Sequence, residues 1–163
     1  ALEYHHSLNV PKLVFQKFRK RLSPKHLPPW LLQQPMVLFT LHDGTKSETS
    51  PSIFYNSYHE VLTQFENYTG IYTDGSKAEE KAATSFFSGK HTTKVRLPNG
   101  TSIFPVENRA IDLALQYIAS KRILNSIIFS NSLSVLQSLY NIKLNNPLLA
   151  NILLKHTELS TSH

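Results

Sequence analysis

From Gly70 onward the chain alternates apolar and polar positions in short runs, then changes to a helical period. Ile71-Tyr72-Thr73 is a run of strand formers, and Asp74-Gly75-Ser76 predicts that this strand ends there in a turn. Residues 82–88 and 92–97 read as two further strands, joined through Gly89 and Lys90 as a hairpin. Pro98-Asn99-Gly100 follows as a loop. A helix is expected to begin near Pro105, because proline is tolerated in a first turn, and Val106, Ala110, Leu113, Ala114, Tyr117 and Ile118 continue it at helical spacing. Residues 126–130 hold Ile127, Ile128 and Phe129, the continuous apolar run of a buried strand. Leu133, Leu136 and Leu139 mark a helix over 132–140, and Pro147 opens a last one with Leu148, Leu149, Ile152 and Leu153. Three strands, a helix, a strand and helices predict an α/β fold. Its mixed sheet starts antiparallel and takes back a parallel strand after a crossover helix.

Before Thr69 the texture differs. Pro28-Pro29 and a polar stretch from Asp43 to Pro51 interrupt any regular period, so residues 1–69 read as a basic, proline-containing connector with short helices. One helix is expected over about 11–22, capped by Asn9 and stopped at Ser23-Pro24. Val10, Val14, Phe18 and Leu22 would form its apolar stripe, with Lys17, Arg19, Lys20 and Arg21 off it. Such a helix either docks by its stripe, the commoner use, or offers its basic face to phosphate or a partner. The organisation is then 1–69 connector, 70–159 domain and 160–163 tail, with no internal repeat.

Composition narrows the partners. The 163 residues and 40% hydrophobic content suffice for one core. One domain plus extensions, or a fragment of something larger, is expected, and with Ala1 first and the single methionine at Met36 the native start is expected to lie elsewhere. Seventeen Lys and Arg against eleven Asp and Glu leave +6, which favours an anionic partner. The absence of cysteine excludes disulfides and thiolate metal sites. No apolar run reaches the ~20 residues of a membrane span, and no signal peptide opens the chain, so an intracellular setting without a membrane is expected. On that basis the glycosylation patterns at Asn67 and Asn99 are chance matches. The His5-His6 pair has nothing nearby to complete a metal site and reads as an exposed segment.

Three polar positions share a geometric property. Asp74 is expected where the first strand ends, Glu107 in the first turn of the crossover helix, and Asn131 where the fourth strand ends. If the two strands are parallel neighbours, all three meet in the crevice where open α/β sheets bind ligands. Singly each has an ordinary explanation: a turn aspartate, a glutamate complementing a helix dipole, an N-cap asparagine. Together they suggest hard oxygen ligands for Mg²⁺, and paired ions of this kind cleave phosphodiesters.

The blocks Ile71-Tyr72-Thr73-Asp74-Gly75-Ser76-Lys77, then Ser102 to Ile111 with Val106-Glu107 and Ala110-Ile111, then Ile127 to Leu139 with Ser130-Asn131-Ser132-Leu133-Ser134, resemble ribonuclease H type 1. The closest flavour is the domain that follows a reverse transcriptase in non-LTR retrotransposon polyproteins. The resemblance covers about residues 70–155. It implies an endonuclease, a hydrolase cutting the RNA strand of RNA–DNA hybrids with two Mg²⁺ or Mn²⁺ ions. It also implies Asp74 and Glu107 as metal ligands, Gly75 and Ser76 beside the hybrid, and a reverse transcriptase domain upstream. Recognition by shape and the 2′-hydroxyl would suit such a substrate.

The chain departs from that pattern twice. Asn131 stands where the family has its third catalytic aspartate, so the site loses one negative ligand and weak or absent cleavage is expected. The family's fifth strand, its loop histidine and its final helix have no counterpart. The only tryptophan is Trp30, Glu158 is the last acidic residue, and the terminal His163 reads as a chance residue. Loss of that strand would leave a neighbouring sheet edge unpaired. A non-catalytic nucleic-acid-binding module and a degenerate retrotransposon remnant are the alternatives.

Overall fold

The computed structural model describes residues 12–14, 31–41, 51–142 and 145–161. In chain order the elements are β1 (Lys12–Val14), β2 (Met36–Leu38), α1 (Pro51–Gln64), β3 (Thr69–Ala78), β4 (Lys81–Ser88), β5 (His91–Leu97), α2 (Ile103–Lys121), β6 (Ser126–Ser130), α3 (Leu133–Tyr140) and α4 (Pro147–Thr161). They form a mixed α/β structure whose sheet has the order β2-β1-β6-β3-β4-β5. β3, β4 and β5 pair antiparallel, and β6 returns parallel to β3 with Thr69 opposite Ser126 and Thr73 opposite Ser130. The expected antiparallel start, crossover helix and parallel return are all present.

Side-chain alternation divides the sheet between two cores. Ile71, Phe86 and Ile128 face α2, α3 and α4, and pack with Ile111, Leu115, Leu136 and Ile152. Ile127 and Phe129 face the other way, against Tyr58 and Val61 of α1. All five β6 residues are therefore buried, which explains their uninterrupted apolar run.

Several boundaries differ from expectation. Lys12–Val14 is a strand, not part of a helix, because it pairs antiparallel with β6 on one side and β2 on the other. The remainder of the expected 11–22 helix lies outside the described residues, as do His5, His6, Trp30 and His163. The outer edge of β6, expected to lack a partner, is covered by β1. The stretch before Thr69 thus adds two strands to the sheet and a fourteen-residue helix to one face. β3 does not end at Thr73. It runs to Ala78 because Gly75 and Ser76 pair with Thr84 and Ala83 of β4.

Helix α2 begins at Ile103, two residues before the expected start, with Ser102 at the N-cap. Pro105 still falls within the first turn, where its missing N–H costs no hydrogen bond. Buried Asp112 ties α2 to α4: it accepts from Arg109 and Lys155, from Gln116 Nε2 at 2.8 Å and from Asn151 Nδ2 at 3.2 Å. Among the described residues no helix is long and apolar enough to cross a membrane.

Candidate active site

The site starts where β6 stops. Ser130 is the last β6 residue and pairs with Thr73, so from Asp74 onward β3 has β4 on one side and a gap on the other. Thr73 Oγ1 donates to the Phe129 carbonyl at 3.0 Å and holds the two strands together beside that gap. Asp74 is half-buried on β3 at its edge. The position expected from a strand end is reached for a different reason: the neighbouring strand ends, not β3.

Two serines shape the turn out of β6. Ser130 Oγ accepts from the Ser132 backbone N–H at 3.2 Å, a local side-chain turn. Ser132 caps α3 by accepting from the Val135 N–H at 3.3 Å. The turn leaves Asn131 exposed, and its Nδ2 donates to Asp74 Oδ1 at 3.0 Å.

Glu107 arrives from α2. Because that helix starts early, Glu107 occupies its second turn, not its first, and α2 has no acidic residue in its first turn. A dipole role does not explain it. Its Oε2 accepts from Ser132 Oγ at 2.5 Å, with Ser134 Oγ at 3.5 Å. Gly75 permits this approach: a Cβ there would lie 3.0 Å from the Glu107 backbone nitrogen and 3.0 Å from its Cγ. β3 and α2 touch backbone to backbone at this point.

Asp74 and Glu107 are therefore joined through consecutive residues, Asn131 bonding one carboxylate and Ser132 the other. Ser76 is exposed on β3, its Oγ 3.5 Å from the Ala83 carbonyl. Sequence reasoning missed Ser132, which is 1% exposed and holds Glu107. Its signal was present as the residue opening the α3 apolar period, the place of a capping serine.

Electrostatically the site is two partly buried carboxylates facing an amide and a hydroxyl. Both donors give hydrogen bonds to carboxylate oxygens, which such groups need when water is scarce. Among the described residues no three His, Cys, Asp or Glu side chains cluster to hold a metal ion. Two carboxylates with water suit one hard divalent cation, whereas a closely spaced ion pair calls for more anionic ligands. Beside the site on β3, Tyr72 shares a 2.6 Å hydroxyl contact with Tyr58. Burial, then the Tyr58 hydrogen bond, pushes the Tyr72 phenol up, so it stays neutral. Compared with known proteins, the chain matches no family model, no curated protein and no solved structure.

Proposed function

We propose that the chain is a ribonuclease H-type domain that binds RNA–DNA hybrids and has an impaired hydrolytic centre. The observation that carries this is the meeting of Asp74, Glu107 and the Asn131-Ser132 turn beside the end of a parallel strand pair. The three sequence blocks that resemble the family supply just these residues. The antiparallel start and parallel return of the sheet agree with a ribonuclease H-like arrangement.

Asp74 and Glu107 would hold Mg²⁺ or Mn²⁺, which supplies an activated water and neutralises charge on the cleaved phosphate. Asn131 works against a second ion. Its amide N–H satisfies Asp74 directly, where a carboxylate at this position would leave Asp74 needing a cation. Ser132 orients Glu107 through its hydroxyl. These residues favour a domain that retains substrate contact with cleavage weakened or lost. A reverse transcriptase domain upstream in the same polyprotein belongs to the same reading.

The test is a labelled RNA–DNA hybrid incubated with the protein and Mg²⁺. Binding that falls steeply with salt, because phosphate contacts release counterions, is expected with slow or no cleavage. Asn131→Asp is expected to cleave faster than the natural chain. Absence of hybrid binding at low salt would overturn the reading.

A further inference from the structure

On one face of the β3-β4-β5 sheet only the first row joins a core: Tyr72 stacks on Phe129 there and also touches the Phe87 ring. The registers align three rows on this face: Tyr72 with Phe87 and Thr92, Asp74 with Ser85 and Lys94, and Ser76 with Ala83 and Arg96. On the opposite face Phe86 and Val95 pack toward α2. On this face Ala83, Lys94 and Arg96 are exposed, and Phe87 is 43% exposed although large and apolar. Lys81, two residues before Ala83 on β4, adds a third exposed cation to the same side.

Ser76, Ala83 and Ser85 are small, so nothing bulky separates the outer cations from Asp74. Among the described residues neither Lys81, Lys94 nor Arg96 forms an ion pair, while Arg96 donates to Asn99 Oδ1 at 3.3 Å. The turn glutamates, Glu79 and Glu80, lie past the β3-β4 end of the face. Lys94 and Arg96 stand two residues apart on one strand face, ~7 Å along it. That is of the order of the separation of neighbouring phosphates.

We propose that this open face is a binding platform for a single nucleic-acid strand running away from Asp74. Lys81, Lys94 and Arg96 contact its phosphates, and Phe87 stacks an unpaired base. Charge complementarity selects the occupant: Lys94 and Arg96, without an ion pair among the described residues and with Lys94 two positions from the Thr92 partner of Phe87, fit a strand with phosphates and base faces, the pairing used by single-strand binders. The proposal rests on the nucleic-acid class named under the proposed function, not on cleavage.

The test measures fluorescence anisotropy with a labelled single strand of about 12 nucleotides. The same strand is also supplied as an overhang on an RNA–DNA hybrid, at about 50 and 200 mM salt. The double variant Lys94→Ala/Arg96→Ala is expected to bind the single strand at least tenfold more weakly at low salt. Its log–log salt slope is expected to fall by about 1.4, two phosphate contacts at ~0.7 each. Phe87→Ala is expected to lose about tenfold with an unchanged salt slope. Lys121→Ala/Arg122→Ala removes the same charge at the far end of α2 and is expected to bind as the natural chain does; thermal melts of all variants check that they fold.

Equal losses for both double variants would overturn the platform, since net charge alone then explains binding. Unchanged binding by Lys94→Ala/Arg96→Ala would also overturn it while leaving the ribonuclease H-type reading intact. The reverse is distinguishable: face variants that lose binding, with hybrid held no better than single strand, support the platform and contradict hybrid recognition. No binding of either nucleic acid by the natural chain would overturn both.

Discussion

At Gly75 the approach of β3 to α2 leaves no space for a methyl group, since a Cβ would press on the Glu107 backbone at 3.0 Å. Gly75→Ala is therefore expected to push α2 outward and destabilise the protein by about 1–3 kcal/mol, an overpacking cost read by denaturant melts. From sequence this glycine looked like a turn former. Ladder pairing to Thr84 overrides that preference and makes it a packing glycine instead. His156 offers a second residue-scale test. It is buried on α4, its Nδ1 donates to the Gln33 carbonyl at 3.0 Å, and burial lowers its pKa to about 4 from the usual 6.5. The unfolded chain then binds the proton more readily. The stability this neutral histidine contributes is complete above pH 6.5 and is lost as pH falls through 4, by about 3 kcal/mol. Urea melts across that window should show the decline, and His156→Gln should flatten it.

Among the elements, those with a strong period were legible. β4, β5, β6 and α3 start and stop within a residue of their pattern, and α4 starts at Pro147 as expected but runs on to Thr161. α1 was not read, although Phe54, Tyr58, Val61, Leu62 and Phe65 repeat at helical spacing, because polar neighbours and Pro51 gave the stretch a connector texture. Lys12–Val14 was read as helix from a fourfold apolar spacing. Its strand conformation comes from two partners far along the chain, which no local pattern contains. The buried polar junction of α2 with α4 was also hidden, since the α4 partners of Asp112, Asn151 and Lys155, lie far along the chain. Asp112→Ala removes the acceptor for two cations and two amides. Because Arg109 and Lys155 are partly exposed and can rehydrate, a loss of about 2–3 kcal/mol is expected, below that for a fully buried pair. A smaller effect of Arg109→Ala in the same melts would place the main contribution on the α4 side.

For the whole molecule, the candidate site was legible because its residues follow, one by one, the apolar runs of elements whose order was readable. The reason for their meeting was not. Asp74 sits mid-strand, Glu107 one turn into its helix, and the gap between them exists because β6 is shorter than β3. The 3.0 Å bond from Asn131 to Asp74 sets the electrostatics of that gap. A carboxylate in place of the amide would repel Asp74 by about 1–4 kcal/mol, depending on how much water screens the pair, and a divalent cation would reverse the sign. The most direct measurement is the thermal melt of Asn131→Asp beside the natural chain, each with and without Mg²⁺. Without Mg²⁺ the variant should melt lower, and Mg²⁺ should raise its midpoint well beyond any shift in the natural chain. Midpoints of both proteins that stay indifferent to Mg²⁺ would contradict a cation site formed by Asp74, Glu107 and position 131.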